Sequence, residues 1–380
     1  MIIEVTGAST RNKGAELMLA TVRDHYGVPD SDVTLAVTPW FGSVADRLRY
    51  NLATKLDWKR WGRTRLAMSL TPASFRKSLG VYEDADLDAV LDISGFAFGD
   101  QHPAKRTIDF ADQVETWKSL GKKVVLLPQA FGPFENAELR AAFGRIVARS
   151  DLICPRDQAS LDHIVKHFGQ RENVLLCPDI TIGISSNDTT QSKSENVLFV
   201  PNTRMLDKSD SAQAGQYIPL LQTCIRAVQE SQHTAKILLH DAAEDRNLVP
   251  QIQEGLQQPI EVVQDPNPLS LKHTISEAAL VVGSRFHSLV SALSSGVPVL
   301  ATGWSHKYEM LLNDFGCPES VLNLDASDNV LRQKVESHLD STFQTQTRES
   351  LATTRNSLKA QLETMWQRVD SAIGWEATCG

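Results

Sequence analysis

None of the 380 residues falls in a run approaching the roughly 20 consecutive apolar side chains that a membrane span needs, which excludes a transmembrane helix. Cysteine is scarce and scattered. The five, Cys154, Cys177, Cys224, Cys317 and Cys379, include no C-x-x-C pair, so their spacing argues against a disulfide frame or structural zinc and for free thiols in a reducing compartment. There is no basic excess either: the net charge is −8, the wrong sign for a general nucleic-acid binder, and any cationic site must be local. The opening Met1-Ile2-Ile3-Glu4-Val5-Thr6-Gly7 lacks the basic start, long apolar run and small-residue cleavage site of a secretory signal and reads as a first buried strand, so a cytoplasmic protein is expected. Neither the three-glycine dinucleotide turn nor the P-loop pattern is present, and no repeat of fixed period appears.

What the chain does contain is a soluble globular composition, 42% hydrophobic and 22% charged, at a length that fits two domains of moderate size. Short apolar, β-rich runs alternate with helical periods. Ile2 to Val5, Val33 to Val37, Ala89 to Ile93, Lys123 to Leu127, Leu152 to Cys154 and Val174 to Cys177 are expected strands of a first domain, with helices such as Ile108 to Leu120 and Leu139 to Ala148 between them. A polar run from Ser185 to Asn196 reads as a linker. The alternation then restarts with strands at Val197 to Val200, Lys236 to Leu239, Ile260 to Val263, Leu280 to Val282 and Val297 to Ala301, and helices around Tyr217 to Val228, Leu271 to Ala278 and Phe286 to Leu293. Strands separated by crossover helices imply parallel sheets covered on both faces. The expected fold is therefore α/β: two Rossmann-like, doubly wound domains over 1–185 and 197–343, followed by a C-terminal helix and tail over 344–380. In such sheets ligands bind beyond the carboxyl ends of the strands, which predicts a cleft between two such edges.

Chemistry is therefore sought at strand ends. The strongest pattern is Gly283-Ser284-Arg285-Phe286-His287-Ser288, where a strand runs into an Ala/Leu-rich helix followed by Gly296-Val297-Pro298. It places a permanent cation and a titratable imidazole where a helix N-terminus turns its N–H groups toward an anion. Arg285 and His287 converge only if Arg285 lies in the turn before the helix. Downstream, Gly303-Trp304-Ser305-His306-Lys307-Tyr308 adds further basic groups. On the first domain, Arg156 stands just before a helix that Asp157 would cap, and its guanidinium suits a carboxylate or phosphate. The first strand exits through Asn12-Lys13-Gly14-Ala15-Glu16 before a helix from Leu17, leaving Glu16 either as an N-terminal dipole partner or as a proton-handling group. Gln129, at another strand end, is a candidate for holding a sugar hydroxyl. A basic stretch with tryptophan (Arg47, Arg49, Lys55, Trp58, Lys59, Arg60, Trp61, Arg63, Arg65) reads as an exposed helix, or as a surface for an anionic or lipid-linked acceptor with peripheral membrane contact.

Taken in order, Asn12-Lys13-Gly14-Ala15-Glu16, Gly95, Gly132-Pro133, Arg156-Asp157 with Ser160, Cys177-Pro178-Asp179, Gly283-Ser284-Arg285-Phe286-His287, Gly296-Val297-Pro298 and Lys307 resemble the polysaccharide pyruvyl transferases over roughly residues 1 to 320. The resemblance implies a glycosyltransferase-B-like pair of domains. It also implies transfer of the enolpyruvyl unit of phosphoenolpyruvate to two hydroxyls of a glycan or lipid-linked saccharide acceptor, giving a cyclic ketal and phosphate, with no metal, nucleotide or other cofactor and no nucleic-acid partner. Arg156, Arg285, His287 and Lys307 match the family's donor-binding cations; Asn12 and Gly14 fall in its substrate-binding turn. Many members have Gly-Asp-Glu where this chain has Gly14-Ala15-Glu16, which makes Glu16 the substitute candidate for the general base and His287 the candidate acid. Two other readings compete: a nucleotide-sugar glycosyltransferase of the same architecture, and a catalytically silent glycan-binding relative. Acceptor sugar, ketal stereochemistry and oligomeric state are left open.

Overall fold

The structure is a computed structural model that describes residues 1–27, 32–56, 71–184, 194–207, 211–303 and 307–376. Trp58 to Arg65 of the basic stretch, most of the expected linker (185–193), Trp304 to His306 and Cys379 lie outside the described residues. The chain divides into two compact units, Met1–Ile180 with Gln361–Gly380, and Thr181–Ala360.

The first unit is built on seven parallel strands, β1 Ile2–Thr6, β2 Thr34–Val37, β3 Ala53–Lys55, β4 Val81–Tyr82, β5 Ala89–Asp92, β6 Lys123–Gln129 and β7 Leu152–Pro155, in the order β4-β3-β2-β1-β5-β6-β7. The chain winds outward from β1 in one direction and, from β5, in the other, so the topological switch point lies between the carboxyl ends of β1 and β5. β6 is buried at every residue after Lys123, as a strand covered on both faces must be. The covering helix Ala104–Ser119 buries Thr107, Ala111, Val114 and Trp117, one stripe at helical spacing. Trp117 is fully buried, and its indole N–H donates to Asp84 Oδ1 at 2.8 Å, which keeps that burial from stranding a polar group.

The second unit repeats the plan with β8 Asn196–Val200, β9 Thr234–Leu239, β10 Glu261–Gln264, β11 Leu280–Gly283 and β12 Val299–Ala301, all parallel, in the order β10-β9-β8-β11-β12. Its switch point lies between β8 and β11. Beyond Phe286 and His287 the helix Phe286–Ser294 is buried at every residue, which suits its apolar sequence. Among the described residues no helix is long and apolar enough to cross a membrane.

Several boundaries differ from the sequence reading. The first helix spans Lys13–Tyr26, four residues earlier than Leu17, because Asn12 caps it: Asn12 Oδ1 accepts the N–H groups of Gly14 at 2.9 Å and Ala15 at 3.2 Å. Val174 to Cys177 is not a strand; it contributes one isolated bridge, Ile153 to Val174, at the edge of β7. β3 and β4 were not anticipated. The last helix runs Ser341–Ile373. Its stripe in the first unit is Leu362, Met365, Val369 and Ile373, all buried, and Asp370 on the same stretch accepts from Tyr26 Oη at 2.8 Å while His25 stacks on Trp366 at 4.1 Å.

Candidate functional site

At the switch point of the second unit, the turn after β11 is held from every side. The Ser284 carbonyl accepts from Asn202 Nδ2 at 2.7 Å and from Tyr308 Oη at 2.8 Å. The Tyr217 phenol is hydrogen-bonded to the Ser284 hydroxyl and accepts the Asn202 N–H at 2.9 Å. Burial pushes the Tyr217 phenol well above its ordinary value, so it stays protonated and serves as a fixed neutral bridge. Gly303 makes room for this: a Cβ there would run into the Tyr308 ring.

The turn delivers Arg285 as the N-cap residue of Phe286–Ser294, in extended conformation, with His287 in the first helical turn. This is the placement that lets the two converge. Arg285 is not bare. Its Nε donates to Asp245 Oδ2 at 2.8 Å and its Nη2 to Asp245 Oδ1 at 2.6 Å, a bidentate pair, while Nη2 also reaches Glu244 Oε2 at 3.1 Å. Asp245 has no exposed surface and also accepts the Thr203 N–H at 3.0 Å. The Arg285 Nη1 lies 3.8 Å from Asp241 Oδ2, beyond hydrogen-bond range. Burial pushes the Asp241 carboxyl up, against the downward pull of Arg285. Lys307 opens the helix Lys307–Asp314, its ammonium 5.6 Å from the Phe286 ring centre and 5.2 Å from that of Tyr308, within the range of a cation–π contact. Lys307 and His287 thus flank the Phe286 ring, the imidazole centroid 5.5 Å from it, while the guanidinium of the preceding Arg285 is turned onto Asp245 and Glu244.

Arg156 belongs to the first unit. It leaves β7 with its N–H on the Gln129 carbonyl at 2.9 Å, and Asp157 caps the helix Gln158–Phe168 by accepting the Ser160 N–H at 2.7 Å. The guanidinium is buried and donates through Nη1 to Asp179 Oδ2 at 3.0 Å. Glu16 is fully buried and both its oxygens are engaged: Oε2 by Lys13 Nζ at 2.6 Å, Oε1 by Tyr50 Oη at 2.8 Å and by Arg49. Asn12 and Gly14 form the cap of the same helix.

Sequence reasoning missed the acidic clamp on Arg285 and the Asn202, Tyr217 and Ser284 brace. The acids were visible as His240-Asp241-Ala242-Ala243-Glu244-Asp245 immediately after β9, a cluster at a strand's carboxyl end. Also missed was Asp92 at the end of β5, 1% exposed, which accepts from Thr6 Oγ1 at 2.8 Å, Ser94 Oγ at 2.7 Å and Gln129 Nε2 at 2.7 Å. Among the described residues no group of His, Cys, Asp and Glu is arranged to hold a metal ion.

Solved structures share the fold. S. aureus MnaA, solved with UDP, superposes with a TM-score of 0.62 at 10% identity over 99% of this chain and 98% of that one. A glycosyltransferase from Rickettsia africae ESF-5 gives 0.59 at 11% identity over 98% of each chain. Anabaena Alr3699/HepE, solved with UDP-glucose, gives 0.54 at 15% identity over 96% of this chain and 99% of that one. At these identities the likeness is one of fold, the glycosyltransferase-B-like pair of domains. No curated protein matches the chain in sequence. The sequence profile of the polysaccharide pyruvyl transferases matches residues 12–306, a span that holds every candidate group above except Lys307, and the chain therefore belongs to that family of transferases.

Proposed function

We propose that the protein moves the enolpyruvyl unit of phosphoenolpyruvate onto two hydroxyls of a sugar in a polysaccharide or glycan precursor, closing a pyruvate ketal and releasing phosphate. The observation that supports this reading is the placement of Lys307 and His287 against Phe286, next to Arg285 at the N-cap of the same helix, in a chain of this family. A donor with one carboxylate and one phosphate needs several cations in fixed positions. Within the second unit, Lys307 and the Nη1 edge of Arg285 are the candidates for that role.

The reaction balances without redox chemistry. One sugar hydroxyl adds to the donor's central carbon as its methylene carbon takes a proton; the second hydroxyl then displaces phosphate, which leaves with the remaining proton. His287, when protonated, supplies the proton to the methylene or to the departing phosphate. Glu16 is the candidate for relieving the attacking hydroxyl of its proton. With Lys13 on one oxygen and Tyr50 and Arg49 on the other, it does so only when one of these partners moves aside. Asn12 and Gly14 shape that turn.

The test is phosphate release from phosphoenolpyruvate in the presence of acceptor glycans. His287→Ala and Arg285→Ala are expected to lose about 100-fold or more in kcat/KM, the scale of a lost general acid or charge clamp; near-wild-type rates in both would remove these residues from the reaction. A second reading, nucleotide-sugar transfer, draws on the UDP-bound fold neighbours. Thermal stabilisation by phosphoenolpyruvate but not by UDP decides against it.

A further inference from the structure

The first unit contains a cavity of 570 Å³ that the donor reading leaves unused. It lies at that unit's own switch point, at the carboxyl ends of β1 (Thr6, Gly7) and β5 (Asp92, Ser94), and Trp40 is among its lining residues.

Asp92 organises its polar wall. Thr6 and Ser94 each donate their single hydroxyl proton to the same oxygen, Asp92 Oδ1, at 2.8 and 2.7 Å, and Gln129 Nε2 holds Oδ2 at 2.7 Å. A hydroxyl whose proton is committed in this way presents only lone pairs elsewhere. Two half-buried hydroxyl oxygens lining the cavity are thereby made into acceptors, a few ångströms apart and fixed by one carboxylate. Gly7 permits the approach: it sits at φ +78°, and a Cβ there would meet the Ser94 backbone nitrogen and hydroxyl at 2.5 Å, so only glycine lets the ends of β1 and β5 close to this distance.

The remaining wall narrows the ligand class. Glu4, Asp92 and Asp109 are matched in number by Lys55, Lys105 and Arg106, and the buried Lys55 ammonium lies 2.8 Å from Asp84 and 3.5 Å from Glu4. Among the described lining residues there is therefore no surplus charge to select an anion, and a phosphate or carboxylate placed against Thr6 and Ser94 would meet lone pairs backed by Asp92. Trp40, 55% exposed, contributes an aromatic side chain to the same lining. The complement of two neighbouring acceptors and an aromatic face is a molecule with paired hydroxyl donors along one edge and C–H groups on one side.

We infer that this cavity is a subsite for an uncharged pyranose, which donates two hydroxyls to Thr6 and Ser94 and lays its C–H face on Trp40. Calling that sugar the acceptor rests on the pyruvyl-transfer reading; its binding does not.

The test uses the full-length protein without donor. Saturation-transfer NMR is run with the methyl pyranosides of galactose, glucose, mannose and N-acetylglucosamine, and binding to a printed glycan array is measured in parallel. At least one pyranoside binds the wild type, and Ser94→Ala, Thr6→Val and Trp40→Ala each weaken it about tenfold or more, while Thr6→Ser, which keeps the hydroxyl, stays within about threefold; tenfold is the scale of one lost hydrogen bond to a neutral partner. No saccharide binding by the wild type, or unchanged binding in the three variants with native circular dichroism, overturns the inference. Sugar binding that persists while phosphoenolpyruvate gives no thermal shift would remove the pyruvyl-transfer reading and leave the subsite standing.

Discussion

Asp92 and Glu16 are both buried carboxylates of the first unit, and their partners set them apart. Glu16 is gripped by two cations and a phenol, whereas the donors on Asp92 are the neutral Thr6, Ser94 and Gln129. Burial, only partly offset by these hydrogen bonds, pushes the Asp92 carboxyl above its ordinary value of 3.8. The folded state then holds the proton to higher pH than the unfolded state does, so stability falls as pH rises from about 3.8 through the folded-state value and stays lowered above it. Asp92→Asn removes that penalty, since hydroxyl and amide partners reorient around an amide. Its melting temperature is expected to exceed the wild type's at neutral pH, with the gap narrowing as the pH falls toward 4; melting curves at a series of pH values check this. A gap constant across pH would mean Asp92 is ionised throughout. None of this was legible in the sequence, where Asp92 is one more acid after an apolar run, because its three partners come from three different strand ends.

The turn between β11 and the helix Phe286–Ser294 is where element-level packing positions the donor cations. Gly303→Ala forces the Tyr308 ring away and breaks its hydrogen bond to the Ser284 carbonyl. The expected cost is about 1–3 kcal/mol, as for other overpacked sites, and the thermal shift given by phosphoenolpyruvate is expected to shrink as well; a variant that melts and responds like wild type would show that Tyr308 is not needed there. The elements themselves were largely readable. Long buried strands such as β6 and β8 and the amphipathic helices announce themselves by period, and the Arg285 turn was placed correctly because strand, turn and helix are contiguous. β3 and β4 span only Ala53–Lys55 and Val81–Tyr82, too short for an alternation to stand out. Val174 to Cys177 has a strand's composition, yet it makes only an isolated bridge to β7. The clamp of Asp245 on Arg285 joins residues 40 positions apart, a contact that no local pattern encodes.

Each unit has its own core, one around Trp117, Phe131 and Phe143 and the other around Phe199, Tyr217 and Ile237, so the molecule carries two sites of stability. The segment from Gln361 onward packs with the first unit. Deleting residues 361–380 removes the buried Leu362, Met365, Val369 and Ile373, together with the Asp370 partner of Tyr26. Calorimetry is expected to show the first unit's transition lowered by about 10 °C or more, given the several kcal/mol that four buried apolar side chains contribute, with the second unit's transition unmoved. Equal shifts in both would mean that the two cores melt as one. The interleaved connectivity also bears on biosynthesis. Met1–Ile180 emerges first from the ribosome but awaits side chains encoded after Ala360, and at about 5–20 residues per second the intervening stretch takes on the order of 10 to 40 s to translate. The portion made earlier is completed later, and through that interval the apolar surface that Leu362, Met365, Val369 and Ile373 come to cover stays open to chaperones.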